Sequence, residues 1–140
     1  MASPLISIVG PCSAGKSELA RRLRAVGYRV KEVRQEHSGV PTLWRQFSPP
    51  DCLIYLDVDP QVAAQREGLE RPSSWWAEER EVRLVHAREH ADLYINTSVL
   101  MLEEIFEQAL GFLDTESTEN KGFRHGGTES TEILSEPLEN

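Results

Sequence analysis

Gly10-Pro11-Cys12-Ser13-Ala14-Gly15-Lys16-Ser17 spaces two glycines, a lysine and a hydroxyl as G-x-x-x-x-G-K-S. Those residue types at that spacing can hold a phosphate. Glycines let the backbone turn tightly and approach an anion, so that successive N–H groups converge on it. The Lys16 ammonium would reach the terminal phosphates of a nucleotide, ATP or another NTP. The Ser17 hydroxyl would sit on a magnesium ion. The pattern is the Walker A, or P-loop, motif, and a complete motif is more specific than a glycine turn with a chance lysine.

Elements of the right type flank the loop. Leu5-Ile6-Ser7-Ile8-Val9 is a short apolar, β-branched run that predicts a strand. From about Lys16 to Val26 the composition is helical, and Gly27 follows as a natural helix stop. A helix starting there aims the positive end of its dipole at the loop.

The rest of the chain alternates strands and helices. Tyr28, Val30 and Val33 alternate loosely with Arg29, Lys31 and Glu32, as in a second strand at a sheet edge. After a polar connection, Pro41 would start a short helix through Phe47, with Leu43, Trp44 and Phe47 on its apolar face. Cys52-Leu53-Ile54-Tyr55-Leu56-Asp57-Val58 is nearly continuous in apolar character and predicts a parallel strand covered on both faces. Asp59-Pro60 is a helix start, and that helix would reach Leu69. A helix from Trp75 to His90, a short strand Leu93-Tyr94-Ile95-Asn96, and an amphipathic helix from Val99 to Leu113 follow.

This order predicts an α/β fold: a three-layer α/β/α P-loop NTPase core around a short parallel sheet of about four strands. Ligands then bind beyond the carboxyl ends of the strands. That end gathers the loop, Glu36, Asp57 and Asn96. Residues 1–113 form the nucleotide-binding domain in this reading. Residues 114–140 form an acidic tail, in which Thr115–Glu119 recurs as Thr128–Glu132. The tail is polar and nearly free of large apolar side chains, so it is expected to stay disordered.

Charge narrows the partners. The formal net charge of the 140 residues is −8, of which residues 114–140 contribute −5. The body is nearly balanced and has no basic stripe, so no nucleic-acid partner is expected. No run approaches a membrane span, and the apolar start is too short for a secretory leader. Cys12 and Cys52 make no disulfide framework and fit a reducing cytoplasm.

Residues 4–113 resemble the small P-loop kinases: shikimate, gluconate, adenylate and thymidylate kinases. Three stretches carry the likeness. The first is the loop. The second is Asp51 to Pro60, which looks like the strand and helix start before the lid of nucleotide kinases. The third is Arg66…Arg71-Pro72 followed by Arg88 to Thr97, similar to a lid and the approach to the final strand. The resemblance implies transfer of the γ-phosphoryl group of ATP to a small metabolite, nucleoside or nucleotide, with Mg2+. It implies that Arg71 closes on the β- and γ-phosphates, that Arg66 stacks on or assists adenine, and that the loop carrying Thr97 approaches it. Glu36, after the second strand, would act as base or orient the metal. Lys16, Glu36 and Arg71 are thus the candidate catalytic residues.

Other roles stay open. Asp57 could hold magnesium with Ser17, as a Walker B aspartate does, or serve structure. Arg80 and Arg83 are expected on a solvated helix face. His86 and His90 have the spacing of a zinc pair but lack an evident third ligand, which favours surface histidines. Trp44 lies on the acceptor side and could stack on a ring. Only about seventeen residues, Arg34 to Pro50, stand where relatives build another strand and much of the acceptor site. The acceptor site must then be small, open, or completed by a second copy or another protein. Two alternatives to a kinase follow: a nucleotide-binding regulatory module reduced in catalysis, and a slow NTP hydrolase.

Overall fold

The computed structural model describes residues 4–119. Four strands make one sheet: β1 (Leu5–Val9), β2 (Arg29–Glu32), β3 (Cys52–Asp57) and β4 (Leu93–Asn96). Their order is β2-β1-β3-β4, and every pairing is parallel. This is the short parallel sheet that the alternation predicts. β3 is buried at all six positions, as its continuous apolar run requires.

Side chains of β3 divide between two apolar clusters at the strand period of two. Ile54 and Leu56 join Ile6, Ile8, Leu19, Leu23, Ile105 and Leu113. Those residues bring α1 (Lys16–Ala25) and α5 (Leu102–Glu119) onto one face. Leu53 and Tyr55 join Trp44, Leu84, Ala87 and Ala91 on the other. The three layers follow directly. Each fully buried Leu or Ile contributes about 1.5–3 kcal/mol of transfer free energy.

Between β2 and β3 the chain makes only two 3₁₀ turns, Gln35–His37 and Leu43–Arg45. The reduced core is therefore real, but the helix expected from Pro41 to Phe47 is not. Trp44 turns inward and is 2% exposed, whereas Phe47 is 92% exposed. Phe47 has φ 70, and the Ser48 N–H donates to the Gln46 carbonyl across it at 2.7 Å. That is a γ-turn of the strained hand.

Two further helices differ from expectation. α2 (Pro60–Arg66) stops before Leu69. The helix expected from Trp75 to His90 is interrupted: α3 (Ser74–Glu78) and α4 (Val85–Glu89) flank a π-helical turn over Glu79–Arg83. The Leu84 N–H reaches back five residues to the Glu79 carbonyl at 2.9 Å. The wider turn lets the consecutive Glu79 and Arg80 both face inward, one to the phosphate loop and one to Asp57. Finally, α5 runs to Glu119, through the expected boundary at residue 113. The remainder of the expected tail lies outside the described residues.

Candidate active site

Gly10 ends β1 beside β3. A Cβ there would run into the Leu56 carbonyl oxygen, so only glycine lets the loop leave the sheet at this point. Ser13 (φ 73) and Gly15 (φ 100) both take left-handed backbone, and α1 starts at Lys16 with no side-chain cap. Uncapped N–H groups behind alternating backbone hands form an anion-binding concavity.

A cavity of about 360 Å³ opens over this loop. Its opposite wall is the end of β2 and the turn after it, with Glu32, Glu36 and His37. Lys16 lies in its floor. The ammonium donates to the carbonyls of Gly10 (2.8 Å) and Pro11 (3.0 Å) and pairs with Glu36 Oε2 at 3.2 Å. Ser17 Oγ donates to Glu32 Oε1 at 2.8 Å. The structure thus brings the sequence-predicted Lys16, Ser17 and Glu36 together. It adds Glu32, which sequence reasoning had treated only as an alternating polar residue. The missing information was the strand order: β2 pairs directly with β1, so its carboxyl end lies beside the loop.

Asp57 is elsewhere. Its Oδ1 accepts from Arg80 Nε at 2.9 Å and from the Val58 N–H at 2.9 Å. Its Oδ2 accepts from Arg80 Nη2 at 2.7 Å and from the Tyr94 hydroxyl at 2.6 Å. Burial opposes the charge most, yet the bonds from Arg80, Tyr94 and Val58 together hold the carboxyl below its usual range. The metal expectation for Asp57 finds no support in this arrangement, because both oxygens are committed and Ser17 is met by Glu32 instead. Arg80 is corrected with it. Rather than a solvated helix face, it forms a two-pronged clamp on a buried carboxylate.

Arg66 and Thr97 meet at the back of the loop. Arg66 donates to the Ser13 carbonyl at 2.8 Å, to the Thr97 carbonyl at 2.7 Å and to Thr97 Oγ1 at 3.2 Å. Thr97 is fully buried, and its hydroxyl also lies within hydrogen-bonding distance of the Ala14 and Asp57 carbonyls. Both residues therefore tie α2 and the end of β4 to the phosphate loop. Arg71 is exposed, in the link between α2 and α3, and does not line the cavity.

The segment after that link rests on the loop. Trp76 is buried and its indole N–H donates to the Cys12 carbonyl at 3.3 Å, while Trp75 is 61% exposed. Glu79 Oε1 accepts from the Cys12 N–H at 3.4 Å, and Cys12 Sγ lies 3.7 Å from Glu79 Oε2. Burial, with Glu79 beside it, pushes the Cys12 thiol up to about 11. Burial also raises Glu79, against the bonds it receives from Cys12. No composition signal marks Glu79; only the π-turn turns it inward.

Trp44 has no free face for a ligand. Its indole N–H donates to His86 Nδ1 at 3.0 Å, and its ring lies 5.8 Å from those of His86 and His90. Both histidines are partly buried rather than surface groups.

No protein-family model matches the sequence. A curated protein of Archaeoglobus fulgidus named "Putative adenylate kinase" is 27% identical over an alignment of 175 residues, which covers 96% of this chain and 96% of the relative. The alignment is longer than the 140-residue chain, so the relative carries segments absent here. Among the described residues no helix is long and apolar enough to cross a membrane. Taken with the parallel sheet and the Gly10–Ser17 loop, the likeness gives this chain a P-loop kinase-like fold.

Proposed function

We propose that this chain binds a nucleoside triphosphate, ATP in the first instance, and transfers its γ-phosphoryl group to a small acceptor such as a nucleoside or nucleotide. The observation that carries the reading is one cavity lined by the loop, with Lys16 paired to Glu36 and Ser17 bonded to Glu32. Magnesium fits this set, because the Ser17 hydroxyl and Glu32 carboxylate are hard oxygen donors at one edge of the cavity. When bound, the ion offsets charge on the β- and γ-phosphates.

The remaining roles belong to the chain. Loop N–H groups hold the phosphates. Lys16 exchanges the Gly10 and Pro11 carbonyls for phosphate oxygens. Glu36, freed from Lys16, accepts the proton of the acceptor hydroxyl. The acceptor oxygen bonds to the γ-phosphorus as the bond to the bridging oxygen breaks, and the diphosphate leaves. Arg71 swings in from the α2–α3 link to offset charge while water is excluded. Arg66 and Thr97 hold the loop in shape. A cytoplasmic setting goes with this reading, because the free Cys12 and Cys52 fit a reducing compartment.

Incubation with γ-labelled ATP and a panel of nucleosides, nucleotides and hydroxylated metabolites tests this. Label should pass to an acceptor with Mg2+ present, and the rate should fall at least about 100-fold in Lys16→Ala and Glu36→Gln. Label appearing only as inorganic phosphate would favour the hydrolase. Tight binding with no turnover would favour a regulatory module, the reading that the short 3₁₀ link between β2 and β3 supports.

A further inference from the structure

Cys12, Glu36 and His37 each offer a ligand atom within 4.8 Å of the other two. They come from separate elements: Cys12 from the phosphate loop, Glu36 and His37 from the 3₁₀ turn after β2. Thiolate, imidazole and carboxylate is a donor set for a soft or borderline divalent ion, not for magnesium. Glu36 gives an independent sign of a ligand. It is 4% exposed, and its Oε1 has no hydrogen-bond partner. A buried, unpartnered carboxylate oxygen is costly unless something charged arrives to meet it.

Charge points the same way. Glu36 and Glu79 are both buried, and Glu79 lies 3.7 Å from the Cys12 sulfur. Among the described residues, Lys16 is the one ammonium paired with Glu36. A tetrahedral ion of zinc size needs its ligands about 3.5 Å apart. His37 Nε2 already lies 3.7 Å from Glu36 Oε2, and no pair in the group is further apart than 4.8 Å.

We propose that Cys12, Glu36 and His37 form a Zn2+-type site with an open fourth position, built into the phosphate cavity. The ion takes Glu36 away from Lys16 and displaces the Cys12 thiol proton to solvent. Because the ligands line the cavity, a seated ion and the nucleotide phosphates exclude one another; this consequence alone rests on the proposed function.

Co2+ serves as the probe, added to nucleotide-free full-length protein. One equivalent should give a sulfur-to-cobalt charge-transfer band and the intense visible bands of a four-coordinate ion. Zn2+ should bleach them and Mg2+ should not. The charge-transfer band should vanish in Cys12→Ser, and affinity should drop about tenfold or more in His37→Ala. Lys16→Ala, which removes the competing ammonium, should bind Co2+ about tenfold more tightly. Since nucleotide binding is lost in that variant if the proposed function holds, the two readings stand or fall separately. On the unaltered protein, one equivalent of Zn2+ should slow alkylation of Cys12, read on its peptide by mass spectrometry. A Co2+ spectrum without the sulfur band, the same band in Cys12→Ser, or alkylation unchanged by Zn2+ would overturn the site.

Discussion

Ser17 Oγ donates to Glu32 Oε1 at 2.8 Å, joining the first turn of α1 to the end of β2. The contact exists because β2 pairs with β1 in parallel register, Ile8 opposite Glu32. It sets the hydroxyl of the phosphate loop against a carboxylate at the mouth of the cavity. Glu32→Gln should therefore weaken nucleotide binding in millimolar Mg2+ by about tenfold or more, and leave binding in excess chelator unchanged. Fluorescent-nucleotide titrations at both conditions check this. Equal losses in both would remove Glu32 from the metal.

Glu79 opposes the function of the loop that it touches. Its carboxylate occupies the Cys12 N–H, a donor of the loop proposed to hold phosphate. Its proton affinity is raised mainly by burial. A carboxyl raised in the folded state stabilises the fold below its unfolded pKa, and that contribution is lost as pH rises through the folded value. Glu79→Gln should thus raise Tm by about 3 °C near pH 7 and have little effect near pH 4, measured by calorimetric scans. The same variant should bind ATP several-fold more tightly.

Arg80 and Asp57 run in the opposite sense. The Asp57 carboxyl is held low in the folded state, so its stabilisation is present above the unfolded value and lost as pH falls through the folded one. Arg80→Ala leaves a fully buried carboxylate with the Tyr94 and Val58 bonds only. The expected cost is about 3 kcal/mol by urea unfolding near pH 7. Asp57→Asn should shift the acid-unfolding midpoint upward. The double variant should cost clearly less than the two single changes added together.

Phe47 is strained without compensation. It holds φ 70 at the centre of the γ-turn and is 92% exposed, so replacing its ring forfeits little burial. Phe47→Gly should stabilise by about 1 kcal/mol. A loss of stability in urea unfolding would mean that the ring contributes through a contact that its exposure conceals.

The sequence makes some parts of this molecule plain because their signals are local. The loop spacing marks Gly10 to Ser17, the unbroken apolar run marks β3, and Asp59-Pro60 marks the start of α2. Glu36 was legible as a carboxylate just beyond a strand. Glu32 was not, because only the neighbour relation of β1 and β2 gives it meaning, and that is a tertiary fact. Arg80 read as a solvated helix position because the helical period places it outward; one extra residue in the π-turn reverses that, and nothing in composition announces the turn. Phe47 reads as part of an apolar helix face that the backbone never forms. The resemblance to kinases sets Arg66 and the Thr97 loop near adenine; the structure gives the two a shared contact at the loop.

Lys16 is the residue on which phosphate binding at the loop should depend most. Calorimetric titration of MgATP into the protein and into Lys16→Ala measures it. The unaltered chain should bind one equivalent, and the variant should lose at least about 100-fold in affinity while keeping its far-UV circular dichroism spectrum. Equal affinity in the two proteins would contradict a phosphate site at this loop.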